Sequence, residues 1–251
     1  MNKIPSIKEI RKLSLKDQSL DAWSTRVFYR KTGTYLTWLL LHTSISPSQT
    51  TFVSLITGLI AVYFFTFGRY EMGILAALLY ELYYLFDVSD GDIARFKKIG
   101  SPKGHYFDRL VHAVLEPLIF IGISIGAYKQ LNNILFLYLG YLISFSLMIF
   151  RIFIAEKYRI FVQYKLYLVK KNKESNKNIN KPKSLLQKLK EMHDSIGFIF
   201  RTPALFNIIL IAAIFGKLHY LLYFYGLFLP LLSIGNFYYE SIIRFDNIEQ
   251  I

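Results

Sequence analysis

Between residues 87 and 112 the chain reads Asp87-Val88-Ser89-Asp90-Gly91-Asp92-Ile93-Ala94-Arg95-Phe96-Lys97-Lys98-Ile99-Gly100-Ser101-Pro102-Lys103-Gly104-His105-Tyr106-Phe107-Asp108-Arg109-Leu110-Val111-His112. Strongly apolar segments flank it on both sides. At about 100° per residue, Asp87, Asp90 and Ala94 fall within about 60° of one another on one helical face, and Asp92 points elsewhere. Gly100-Ser101-Pro102 reads as a turn. Beyond it Gly104, Asp108 and His112 recur at every fourth residue and share one stripe of a second helix. Two helices are therefore expected to present oxygen and nitrogen ligands to a shared space.

The surrounding chain places those helices in a membrane. Of 251 residues, 53% are hydrophobic, and the mean hydropathy of +0.33 belongs with membrane proteins. There is no cysteine, which excludes disulfides and thiolate metal sites. The net charge is +13, and its distribution is more informative than its size. Lysine and arginine crowd Lys3 to Lys31, Arg95 to Lys103 and Arg151 to Arg201, whereas the other intervals hold only Arg69, Lys129 and Lys217. That alternation follows the positive-inside rule and assigns the crowded regions, both termini and the acidic cluster to the cytoplasm. Basic loops beside spans need no nucleic-acid partner, and none is expected.

The spans expected from the apolar runs are Thr51 to Gly68, Met72 to Phe86, Tyr106 to Tyr128, Ile134 to Ile154, Phe198 to Phe215 and Leu218 to Tyr239. This describes an all-α integral membrane protein with six transmembrane helices. The N-terminus from Met1 through Arg30 is polar and has no signal-peptide core. Lys8 to Leu41 mixes Trp23, Phe28, Tyr35 and Trp38 with Arg26, Arg30 and Lys31, as an amphipathic interfacial helix does. Ser46-Pro47 reads as a helix cap followed by a first-turn proline. Pro117 is expected to kink the third span. The fourth apolar segment is read as continuing to Val169, followed by a loosely held loop from Lys170 to Lys183. Residues 1–45 thus form an interfacial segment, and residues 46–245 a six-span domain with a basic cytoplasmic loop at about 165–197.

Three acids at matched spacing near membrane depth would repel one another, and a divalent cation would relieve that repulsion. The alternative is that Asp87, Asp90 and Asp108 pair with Arg95, Arg109 and Lys97 in the interface. Without thiols, oxygen ligands favour hard ions, Mg²⁺ or Mn²⁺. Two such ions roughly 4 Å apart would suit displacement at phosphorus. Gly91 and Gly104 allow close approach of a ligand, and Arg95 can neutralise phosphate.

The spacing resembles the signature of the CDP-alcohol phosphatidyltransferase family, D-x2-D-G-x2-A-R-x8-G-x3-D-x3-D. Asp87, Asp90, Gly91, Ala94, Arg95, Gly104 and Asp108 fit it, and His112 replaces the fourth aspartate. Ser46-Pro47-Ser48-Gln49-Thr50-Thr51 resembles the T-P-N-Q-x-T entry to the first span, with Ser48 for the usual asparagine. The resemblance implies that Asp87, Asp90, Asp108 and His112 hold metal, that Gly91, Ala94 and Gly104 shape the cytidine site, and that the chain is a homodimer. It also implies that His112 and Asp108 are catalytic, the fourth position taking the proton of the attacking hydroxyl. A neutral imidazole can bind metal or take a proton, yet the site loses one negative charge.

Glu116 lies one turn beyond His112. It either accepts a hydrogen bond from the imidazole and fixes its tautomer, or pairs with a basic residue of a neighbouring span. Arg151 and Arg201 either grip an acceptor phosphate or snorkel toward headgroups. Glu81, deep in the second span, reads as an interhelical hydrogen-bond partner. His42, His105, His193 and His219 show no ligand spacing.

The expected activity is a membrane transferase that moves a phosphoalcohol unit from a CDP-alcohol to a second alcohol and releases CMP, with CDP-diacylglycerol as the commonest donor in phospholipid synthesis. The plasma or inner membrane is the expected location. A soluble CDP-polyol donor, a catalytically silent lipid-binding relative marked by His112, and a cation pathway remain alternatives. Against the last, the acids gather at one membrane face rather than at the midplane.

Overall fold

A computed structural model describes residues 5–14, 29–175 and 203–238 of the chain. Those residues form helices α1 (Ile7–Ser14), α2 (Arg30–Leu41), α3 (Pro47–Phe65), α4 (Tyr70–Lys97), α5 (Pro102–Leu131), α6 (Leu135–Ser175), α7 (Pro203–Ile214) and α8 (Leu218–Tyr238). Among the described residues, five helical stretches are long and apolar enough to cross a membrane: Pro47–Phe65, Tyr70–Lys97, Pro102–Leu131, Leu135–Phe153 and Leu218–Gly235. A shorter apolar helix, Leu205–Ile214, occupies the described part of the span expected from Phe198 to Phe215. Its first residues, 198–202, lie outside the described residues.

Local chemistry explains where the helices begin and end. Ser46 caps α3 reciprocally: Gln49 N donates to Ser46 Oγ at 3.3 Å, and Ser46 N donates to Gln49 Oε1 at 2.8 Å. Ser101 Oγ likewise accepts from Gly104 N at 3.1 Å at the start of α5. α4 ends where Lys98 adopts a left-handed conformation (φ 55°) and Ile99 N bonds Ala94 O at 3.1 Å. That closure satisfies terminal carbonyls and reverses the chain into α5. α5 continues as helix through Pro117.

α5 occupies the middle of the bundle, packed on α3, α6 and α8, while α4 packs on α2, α3 and α7. A Cβ on Gly122 of α5 would lie 2.7 Å from the Val62 carbonyl oxygen of α3, so the two backbones approach as only a glycine permits. Tyr29, Tyr80, Tyr83, Leu115, Phe120 and Phe206 are fully buried between the helices. Phe52, Ile56, Tyr63, Phe145 and Leu231 face outward, as a lipid-facing surface requires.

Helix length sets the depth of the acidic motif. α4 has 28 residues and α5 has 30, or about 42 and 45 Å at 1.5 Å per residue, against a hydrocarbon core of about 30 Å. Counted from the opposite end of each helix, the surplus carries Asp90 to Arg95 on α4 and Gly104 to Asp108 on α5, with Asp87 and His112 just inside the hydrocarbon edge. Asp87, 17 residues beyond Tyr70, lies about 26 Å along α4 and therefore within a turn of the hydrocarbon edge.

In the N-terminal region the described residues carry α1 and α2, while Trp23, Arg26 and Phe28 of the expected interfacial helix lie outside the described residues. α2 also packs on α4 through small and hydroxyl-bearing residues, Gly33, Thr34 and Thr37, all buried. α6 remains helical to Ser175, into the stretch expected as a loop from Lys170, because the Lys-rich sequence carries no proline before Pro182. The remainder of that loop lies outside the described residues.

Candidate active site

The ends of α4 and α5 bring Asp87, Asp108 and His112 together, each offering one ligand atom, all within 4.8 Å of one another. His112 Nε2 lies 3.1 Å from Asp87 Oδ1 and 3.7 Å from Asp108 Oδ1. Asp87 Oδ1 is buried and has no well-aligned hydrogen bond. A buried carboxylate oxygen without such a bond, facing a second carboxylate and an imidazole, fits a divalent cation. Two carboxylates and one imidazole could together hold a divalent metal ion without thiolate chemistry.

Asp90 lies beside this group with a different partner. Thr51 Oγ1, on the first turns of α3, donates to Asp90 Oδ2 at 2.5 Å in a buried contact. The Ser46–Thr51 stretch thereby connects the start of α3 to the motif, a role the sequence reading did not assign to Thr51. Lys97 Nζ also donates to Ile45 O at 2.8 Å, closing the far end of α4 onto the same loop.

These residues open onto a cleft of about 380 Å³, lined by Asp87, Asp90, Gly91, Ala94, Arg95, Gly104 and Asp108, together with Arg30, Ser46, Ser48 and His105. The glycine and alanine positions keep its walls low. Asp92, on a different face of α4 as the periodicity requires, is an anchor: its Oδ1 accepts from Arg95 at 2.5 Å and from Arg30 at 3.2 Å. A Cβ on Gly91 would come within 3.4 Å of the Arg95 guanidinium. The cleft thus has an acidic end at Asp87, Asp90 and Asp108, and a corner where two arginines share one carboxylate. Periodicity did not reveal Arg30, because it arrives from a helix distant in sequence.

Behind His112 the helices supply a second layer. Tyr83, one turn before Asp87 on α4, places its hydroxyl 2.7 Å from His112 Nδ1. Glu116 Oε1 is 3.8 Å from that nitrogen, beyond hydrogen-bond reach, and Glu116 Oε2 is ion-paired with Arg151 of α6. Of the two alternatives for Glu116, the structure therefore has the pairing with a neighbouring helix. Arg151 meets Glu116 on the side of His112 away from the cleft. Arg201 lies outside the described residues.

The other polar groups fall apart from the cluster. Tyr29 donates from its hydroxyl to Glu81 Oε2 at 2.6 Å, as an interhelical partner should. Burial, reinforced by Glu81, raises the Tyr29 phenol well above its usual range and keeps it a donor. His42 meets the Trp38 carbonyl, His219 packs on Phe136 and Tyr220, and His105 lines the cleft. His193 lies outside the described residues.

Comparison with known proteins places this geometry. The model of a family described as CDP-alcohol phosphatidyltransferase matches residues 44–234. A protein of Rubrobacter xylanophilus named bifunctional IPC transferase and DIPP synthase is 30% identical over 92 residues, covering 37% of this chain. The match spans 20% of that curated relative's length.

Proposed function

Because the chain belongs to the CDP-alcohol phosphatidyltransferase family, we propose that it is a membrane transferase that moves a phosphoalcohol group from a CDP-alcohol to an acceptor alcohol and releases CMP. The observation that carries this reading is the convergence of Asp87, Asp108 and His112 from two helices, with Asp87, Asp90 and Asp108 lining the acidic end of one cleft. In this reading Asp87, Asp108 and His112 hold one divalent cation and Asp90 contributes to a second. Such ions, when bound, neutralise the diphosphate and the departing CMP.

The acceptor oxygen forms a bond to the phosphorus that carries the donor's alcohol. The bond from that phosphorus to the bridging oxygen breaks, and CMP leaves with that oxygen and its electron pair. The hydroxyl proton passes to the Asp108 carboxylate, 3.7 Å from His112 Nε2. Gly91, Ala94 and Gly104 leave room for the cytidine, and Arg95, held by Asp92, offers charge-assisted hydrogen bonds to phosphate. Arg201 extends the reading to an acceptor phosphate, whereas Arg151 is engaged by Glu116.

The donor assigned is CDP-diacylglycerol, in keeping with a motif at the hydrocarbon edge, where a lipid-linked substrate places its headgroup. The site and both termini face the cytoplasm of a plasma or inner membrane, and the outer apolar faces accommodate lipid and a second protomer. Purified protein is offered CDP-diacylglycerol or a soluble CDP-polyol, each with an acceptor pool and Mn²⁺. CMP release confined to the lipid donor supports the whole reading. Release confined to the soluble donor replaces the donor, and release from neither refutes the transferase.

A further inference from the structure

The replacement of a motif aspartate by His112 raises a problem that a carboxylate would not have. A carboxylate presents equivalent oxygens to a metal or a proton, whereas an imidazole has one lone pair in its neutral form, on either of two nitrogens. Only Nε2 faces Asp87 and Asp108, at 3.1 and 3.7 Å. For that atom to carry the lone pair, Nδ1 must carry the hydrogen and needs an acceptor on the opposite side of the ring. Among the described residues, two groups lie there. Glu116 Oε1 is too distant at 3.8 Å, and its carboxylate is engaged by Arg151. The hydroxyl oxygen of Tyr83 is at 2.7 Å, and Tyr83 is fully buried, stacked on Tyr80 and packed against Phe206, so its ring is held in place.

We propose that Tyr83 is a positioning residue for His112: its hydroxyl oxygen accepts from Nδ1–H and keeps the Nε2 lone pair directed at the Asp87–Asp108 pair. The inference rests on the transferase reading for its purpose but on the side-chain geometry for its content. Tyr83 lies one turn before Asp87 on the same helix, so one segment supplies both a ligand and the brace for a ligand on the neighbouring helix. Arg151 contributes by holding the one nearby carboxylate that would otherwise compete for Nδ1–H. The device is needed only while residue 112 is a histidine.

That condition makes the test selective. Mn²⁺ binding to the full chain in detergent is followed by the electron paramagnetic resonance of free Mn²⁺, for the parent, Tyr83→Phe, His112→Asp and the double variant. Phenylalanine keeps the ring and removes only the hydroxyl. Loss of a hydrogen-bond partner behind a metal-binding histidine weakens affinity about tenfold or more, and that loss is expected in the parent background. In the His112→Asp background, with no ring nitrogen to orient, the same change is expected to alter affinity less than about twofold, the scatter of independent sites. Equal loss in both backgrounds would make Tyr83 merely structural and overturn the proposal, as would no loss in the parent.

If Tyr83→Phe does not fold, histidine ¹⁵N chemical shifts of the parent with Mg²⁺ decide the question, using His112→Asp to assign the resonance. Hydrogen on Nδ1 with Nε2 bare supports the proposal, and hydrogen on Nε2, alone or together with Nδ1, overturns it. CMP release is measured separately. A preparation that follows the Mn²⁺ pattern but releases no CMP from any donor refutes the transferase and leaves the role of Tyr83 intact.

Discussion

Replacing Arg151 by methionine is expected to destabilise the chain by about 3 kcal/mol, because it strands the Glu116 carboxylate. That carboxylate is 11% exposed and is paired with an arginine that is 31% exposed. Breaking a buried ion pair by removing one partner costs roughly 3–5 kcal/mol, and the partial exposure of Arg151 places this pair at the lower end. At roughly 2–4 °C per kcal/mol for a chain of this size, the midpoint of thermal unfolding falls by about 6–12 °C, read by far-UV circular dichroism in detergent. Adding Glu116→Gln removes the stranded charge, and the double variant is expected to recover to within about 1 kcal/mol of Glu116→Gln alone. A double variant less stable than either single, by the sum of their losses, would show that the two groups do not act as a pair and would refute the reasoning. The same proteins separate support from substrate contact. If Arg151 also reaches an acceptor phosphate, the double variant folds but shows a raised KM for that acceptor.

Thr51→Val removes the buried 2.5 Å hydrogen bond to Asp90, and with about 1.5–3 kcal/mol at stake, kcat/KM for CMP release is expected to fall by about tenfold or more. Thr57→Val, on the same helix, loses only a bond to its own backbone and serves as the control that changes little. Gly122→Leu places a Cβ 2.7 Å from the Val62 carbonyl oxygen and is expected to cost at least about 1–3 kcal/mol through overpacking, seen as a lowered unfolding temperature. His112→Asp restores an all-oxygen ligand set and is expected to raise Mg²⁺-supported turnover relative to Mn²⁺, measured by titrating each ion against CMP release.

The sequence reached furthest where one helix carries the information. Asp87, Asp90 and Ala94 share a face because 3.6 residues make a turn, and Asp92 leaves it for the same reason. The turn at Gly100-Ser101-Pro102 was legible from its residue types, so the meeting of α4 with α5 was expected, and so was the cap at Ser46. Contacts between segments far apart in sequence were not legible. Tyr83 reaches His112 and Thr51 reaches Asp90 only because α3, α4 and α5 pack as they do, and neither tyrosine nor threonine stands out among the 19 tyrosines or the other hydroxyl residues of such a chain. The i−4 position of Tyr83 relative to Asp87 was an available signal. For Glu116 the residue could be named but its partner could not, because both a histidine one turn away and an arginine on another span were within reach. The early end assigned to the fourth helical segment followed from composition alone: lysine and asparagine lower hydropathy without forbidding helix.

The most direct test of the central claim is metal-dependent CMP release by the purified chain on its preferred CDP-alcohol donor, compared with Asp108→Asn and His112→Ala. The expected result is release that requires Mn²⁺ or Mg²⁺ and falls to background in both variants. Release that continues unchanged without divalent metal, or in Asp108→Asn, would contradict the assignment of the Asp87–Asp108–His112 cluster as the reacting centre.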